Sequence, residues 1–168
     1  MNENTTNNQD AVLEYQAQRF RDLLGEMFHC CDDRMAFESK RIGLPVAEME
    51  CLLLLAGERY LTVKGLSKKM DVAKSRVTKI LDNLCAKKLA NRIDDPMDAR
   101  VKLISLTSTG LTKSAEIDSL LKENHRYVLM ELDHEDRKSV LSSLEKLRGG
   151  HGKCQTETEY RCFFRVLI

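Results

Sequence analysis

Proline and glycine are scarce in this chain, two and eight among 168 residues. So few breakers exclude a turn-rich β architecture and favour long helices. No window approaches 18 continuous apolar residues, which excludes a membrane-spanning helix. The first ten residues, Met1 to Asp10, are polar and rich in Asn and Thr. They have neither the basic nor the apolar region of a secretory leader, so a cytoplasmic location is expected. The glycine and histidine fingerprints of nucleotide-, dinucleotide- and zinc-dependent enzymes are missing, as is G-x-S-x-G, so an enzyme is not expected. Cysteine is present six times, at Cys30, Cys31, Cys51, Cys85, Cys154 and Cys162, but never as C-x-x-C. The irregular spacing excludes a zinc finger and, in a reducing compartment, predicts free thiols. No cofactor is implied.

What remains is a chain of one-domain length with 42% hydrophobic and 32% charged residues, enough apolar surface for a core. The net charge of +1 hides an uneven distribution. Between Thr62 and Lys102, eleven lysines and arginines stand against five acidic residues, whereas the flanks are acidic in balance. A basic middle segment is what a module that meets phosphates requires. Solvated basic faces are common, so charge alone does not decide the matter.

Periodicity supplies the architecture. Leu13, Ala17, Phe20, Leu24, Met27, Cys31 and Met35 recur at three- and four-residue steps, predicting one amphipathic helix from about 11 to 38. Pro45 suits the start of a second helix, whose run from Met49 to Ala56 predicts the most buried element. Thr62 can cap a short helix carrying Leu66 and Met70. A tight turn at 71–73 leads to another, with Val77, Ile80, Leu81 and Leu84 inward and Lys74, Ser75, Arg76, Thr78, Lys79 and Asn83 outward. Two short helices joined so closely, the second basic outside, read as helix-turn-helix. Residues 92–94 and 101–106 then alternate as strands about the turn Asp94–Asp98, a β-hairpin in the position of a wing. Thr107 caps a long helix to about Met130, with Leu111, Ala115, Leu120, Leu121 and Val128 expected inward. Asp133 caps a last helix that Gly149 and Gly150 should stop. The fold class is therefore mainly α, a winged helix-turn-helix with a short β-hairpin wing and long terminal helices. These carry more apolar surface than a small domain covers, which predicts a homodimer. The expected division is a disordered 1–10, an N-terminal dimerisation helix 11–43, a DNA-binding domain 44–110, C-terminal dimerisation helices 111–148 and a tail 149–168.

Two motifs carry a family resemblance. Asp98-Ala99-Arg100 followed by Leu106-Thr107-Ser108-Thr109-Gly110 matches D-x-R…L-T-x-x-G, and Lys74 to Leu84 looks like the recognition helix that goes with it. With Leu132 to Leu147 similar to a closing dimerisation helix, residues 44 to 148 resemble the MarR family of bacterial regulators. The resemblance implies a dimeric winged-helix repressor of transcription that binds duplex DNA. Two departures stand out: Lys88 occupies a place where the family commonly has Gly, so a left-handed Lys is expected to cost energy, and Ala73 stands where a capping Ser is frequent.

In such a helix, Arg76 is the candidate for bidentate reading of guanine, with Ser75 and Thr78 as adaptable contacts. Lys74 and Lys79 are expected on phosphates. The resemblance places Arg100 in the minor groove and Asp98 as the acid that orients it; a local Asp98–Arg100 pair that stiffens the hairpin is the alternative. It also implies release from DNA by a small phenolic or other ligand, or by cysteine oxidation. Cys30 and Cys31 lie on the first helix, where buried small hydrophobes, a redox switch, or a metal site with His29, Cys30 and Asp33 all remain open. Cys51 is expected in the core and Cys85 in a structural role. The tail, with Cys154, Cys162 and the apolar run Phe163 to Ile168, is compatible with packing on the dimer, a strand or disorder.

Overall fold

The computed structural model describes residues 3–98 and 100–151. Helix α1 (Glu3–Ile42) leads through a turn to α2 (Val46–Ala56). A short strand β1 (Leu61–Thr62) then precedes α3 (Val63–Met70) and α4 (Lys74–Ala86). The hairpin β2 (Ala90–Asp94) and β3 (Lys102–Leu106) follows, and the chain closes with α5 (Ser108–Met130) and α6 (His134–His151). The three strands are antiparallel in the order β1-β3-β2, with Leu61 opposite Ile104 and Arg92 opposite Ile104 on its other side.

Local chemistry explains most boundaries. Thr62 Oγ1 accepts the Gly65 amide at 3.0 Å and Thr107 Oγ1 accepts that of Gly110 at 2.9 Å, each satisfying an orphan donor of a first turn. The Asp133 carboxylate does the same for Asp136 at 2.9 Å. Gly43, at φ +74°, makes the left-handed exit from α1 that L-residues resist. Asp71 (φ 49°) and Lys88 (φ 58°) take that conformation without being glycine, Asp71 ending α3 and Lys88 just beyond α4. The expected left-handed Lys88 is thus present.

The core belongs to the winged helix. Met49, Cys51, Leu52 and Leu55 of α2 are buried against Leu66 of α3 and against Val77, Leu81 and Leu84 of α4. Ile104 of β3 and Ile117 of α5 complete it. The terminal helices are different: α1 from 9 to 23 is exposed throughout, Leu13 at 64%, and no residue of α6 from 134 to 149 is buried.

Four expectations need correction. Residues 3–10 are helical rather than disordered, because α1 begins at Glu3 and ends at Ile42. Helix α6 runs through Gly149 and Gly150 to His151, the cost of about 1 kcal/mol per glycine not sufficing to stop it. On α5 the stripe that meets the core is Gly110, Ser114 and Ile117, with Leu120 and Leu121 half-buried beside it, while Leu111, Ala115 and Val128 face outward. An apolar stripe does not say which of two surfaces it will meet. The fourth is Asn83, which belongs to the structure under α4, as shown below. The calls on the tail at 152–168, including Cys154 and Cys162, fall outside the described residues.

Candidate nucleic-acid interface

Helix α4 is amphipathic as its sequence dictates. Val77, Ile80, Leu81 and Leu84 are buried, and Lys74, Ser75, Arg76, Thr78 and Lys79 are all exposed. Ala73 at the N-cap offers no side-chain bond, and the Arg76 amide of the first turn donates back to the Ala73 carbonyl at 2.9 Å. Thr78 Oγ1 donates to the Lys74 carbonyl at 2.9 Å, which uses its hydroxyl proton and leaves it an acceptor for an outside group. Among the described residues, Lys74, Arg76 and Lys79 have no ion-pair partner.

Lys64, Lys68 and Lys88 are likewise exposed without an ion pair among the described residues, whereas four other basic residues of the segment are occupied. Lys69 pairs with Glu58 at 3.0 Å, and Lys102 pairs with Asp94 across the hairpin. Lys87 Nζ lies 2.6 Å from Glu48 Oε2, and Asn83 Nδ2 donates to Oε1 of the same carboxylate at 3.1 Å. Glu48 is 2% exposed, so α2 holds a buried acid whose two oxygens are satisfied by Asn83 of α4 and by Lys87 at that helix's C-cap. Asn83 therefore fastens α4 to α2 rather than facing a ligand. Arg92 on β2 crosses to α4, donating to Asp82 Oδ1 at 2.6 Å and to the Thr78 carbonyl at 3.4 Å. Sequence reasoning placed Arg92 in a strand only; the opposite charges of Asp82 and Arg92, ten residues apart, were the available signal.

At the wing tip, the Asp98 carboxylate accepts the backbone amide of Arg100 at 3.0 Å, and Asp95 accepts that of Met97 at 2.9 Å. These local bonds shape the turn. Asp98 thus orients the backbone of Arg100, not its guanidinium, which has no carboxylate within ion-pair distance among the described residues. The expected side-chain pair between the two gives way to this amide bond. The L-T-x-x-G motif is a joint: Thr107 Oγ1 also donates to the Lys88 carbonyl at 2.7 Å, tying the start of α5 to the end of the α4 turn.

On α1, Cys30 is exposed and Cys31 half-buried. Burial first, then Cys30 and Asp32, pushes the Cys31 thiol up, which disfavours the reactive thiolate. His29 and Asp33 approach at 3.8 Å, but Cys30 does not join them; among the described residues no three ligating side chains converge. The weak metal set of His29, Cys30 and Asp33 is therefore not assembled, because Cys30 projects about 100° around the helix from His29. Cys51 is fully buried, its thiol pushed up to about 12 by burial first and then by Glu50, Glu48 and Cys85. Cys85, half-buried, packs against the core as expected for a structural residue.

A helix-turn-helix whose second helix is basic outside, followed by a hairpin with a free arginine at its tip, defines a winged-helix protein of the DNA-binding class. The sequence model of the MarR family matches residues 42–101 of this chain. The chain is similar to the HTH-type transcriptional regulator YdgJ of Bacillus subtilis (strain 168), 27% identical over 143 residues that span 83% of this chain and 79% of the relative. The structure of YusO from Bacillus subtilis superposes with a TM-score of 0.68 at 25% identity, covering 81% of this chain and 96% of that one. A variant of MepR from S. aureus, bound to an oligodeoxyribonucleotide, gives a TM-score of 0.59 at 22% identity over 78% and 96% of the two chains. The relative and the family model are those of transcriptional regulators, and the MepR variant is bound to DNA. Among the described residues no helix is long and apolar enough to cross a membrane.

Proposed function

We propose that this regulator is a repressor that binds a pseudo-palindromic operator as a homodimer and is released by a small ligand. Each copy lays α4 in a major groove, half-sites about one helical turn apart. Arg76 reads a guanine edge, Ser75 and Thr78 make adaptable contacts, and Lys74 and Lys79 meet phosphates. Arg100 enters the adjacent minor groove, where a narrow A·T-rich stretch concentrates negative potential, on a turn shaped by Asp98. The observation that carries this reading is the outer face of α4, beside the arginine at the wing tip. Its three cations Lys74, Arg76 and Lys79 are all exposed and, like Arg100, without an ion pair among the described residues.

The second copy is supported by the terminal helices. Val12, Leu13, Phe20 and Leu23 of α1 and Val140, Leu141 and Leu144 of α6 stand exposed at helical spacing, more apolar surface than a monomer keeps in water. The redox alternative rests on Cys30 alone, since the raised Cys31 thiol resists activation. Footprinting of purified protein on genomic duplex fragments, with sedimentation of the free protein, tests the reading. A protected, two-fold-symmetric site and a dimeric mass are expected. Protection without sequence preference, or a monomer at micromolar concentration, would contradict it.

A further inference from the structure

Glu38 is the one side chain among the described residues with a buried polar atom and no hydrogen-bond partner for it. It lies near the end of α1, five residues before the left-handed Gly43, and is 2% exposed. Its Oε1 accepts Asn124 Nδ2 of α5 at 3.2 Å. Asn124 is held in that orientation by Arg34, whose Nη1 donates to the amide oxygen at 3.1 Å. Oε2 has no hydrogen-bond partner among the described residues; the Arg41 guanidinium stands 3.7 Å away, beyond hydrogen-bond reach, on a side chain that is 59% exposed. A carboxylate out of water with one oxygen unmatched is costly to keep unless a donor can reach it.

The chemistry of the place narrows what that donor is. A single free carboxylate oxygen is too few ligands for a metal, and the Asn124 oxygen is already taken by Arg34. It suits one N–H of a cation, as a charge-assisted hydrogen bond. The flanks are apolar: Met35 lies one turn back on α1, and Leu120 and Leu121 one turn back from Asn124 on α5, all half-buried.

We propose that Glu38 anchors an organic cation, an amidinium or ammonium on an apolar body, admitted between α1 and α5 when the Arg41 side chain swings aside. Arg41 is the resident competitor and the ligand takes its place at Oε2. The proposal rests on the reading that a small ligand releases the protein from DNA, and names that ligand's class. The site lies where α1 meets α5 above the turn into α2, so a wedge there acts on the joint between the terminal helices and the winged helix.

Calorimetric titration of the full chain with benzamidine, against benzyl alcohol and benzoate at matched ionic strength, tests it. Saturable benzamidine binding is expected, with no heat from benzoate and at least tenfold weaker binding of the alcohol. Glu38→Gln should weaken benzamidine at least tenfold, while Arg41→Ala, at an exposed position, should tighten it several-fold. A mere structural role for Glu38 predicts no tightening in Arg41→Ala, so that variant decides even if Glu38→Gln fails to fold. Absence of benzamidine binding to both the parent and Arg41→Ala, or equal binding of benzoate, overturns the proposal. Duplex affinity is measured separately: binding with this mutational pattern but no loss of DNA affinity upholds the site and rejects ligand release.

Discussion

Gly110 sits so close to the backbone of Leu89 that a Cβ on it would stand 1.9 Å from the Leu89 carbonyl oxygen. That oxygen also accepts the Thr107 amide at 3.1 Å, so the first turn of α5 is pressed against the strand leading into the wing. The contact explains the glycine of L-T-x-x-G by close approach; its helix cost is the lesser matter.

Gly110→Ala should therefore destabilise the protein, although Ala favours a helix over Gly by about 1 kcal/mol. Overpacking against a fixed carbonyl outweighs that gain, and a net loss of roughly 1–3 kcal/mol is expected. Urea unfolding followed by circular dichroism measures it; an unchanged or raised midpoint would remove the close-packing account.

Arg92 and Asp82 couple the wing to α4. Both are partly exposed, so breaking the pair should cost under about 1 kcal/mol of stability. Its larger effect should be on DNA, because the wing and α4 then lose their fixed relation. Arg92→Ala and Asp82→Ala are each expected to weaken operator binding, with the double variant no weaker than either. Fully additive losses would show that the two residues act separately.

The division of labour on α4 is separable by salt. Lys74→Ala and Lys79→Ala should each lower the slope of log affinity against log salt by about 1 and leave base preference intact. Arg76→Ala should cost roughly 1–3 kcal/mol and relax preference at one base pair per half-site. Arg100→Ala should leave folding intact and lose about 1–3 kcal/mol, mostly on A·T-flanked sites. Fluorescence anisotropy on operator variants distinguishes them; a preference change confined to Lys74→Ala would reverse the assignment.

Cys51 predicts an alkaline limb. Its thiol is pushed from an ordinary 9.0 up to about 12 in the folded protein. Above pH 9 the unfolded chain gives up this proton and the folded chain keeps it, so stability is full below pH 9 and falls as pH rises toward 12. Cys51→Val removes this contribution and should flatten the decline between pH 9 and 11. A parallel decline in both proteins would show that other groups control it. The native thiol should also stay unreactive toward an aromatic disulfide reagent at pH 8 until the protein is unfolded.

Much of the winged helix was legible in the residues themselves. The inward set Val77, Ile80, Leu81 and Leu84, the outward cations of α4, the caps at Thr62, Thr107 and Asp133 and the hairpin about 94–98 all follow from spacings of a few residues. Such signals are local, because helical and strand periods and side-chain-to-backbone caps are properties of neighbouring residues. The buried acids were not legible this way. Glu48 meets Asn83 across 35 positions and Glu38 meets Asn124 across 86, pairings that exist only once α2 has packed on α4 and α1 on α5. The wing motif shows both sides. D-x-R and L-T-x-x-G identified the segment, and the Asp98 bond to the Arg100 amide is as local as the caps, yet only packing decided that Gly110 yields to the Leu89 carbonyl and that Arg100 has no ion-pair partner among the described residues.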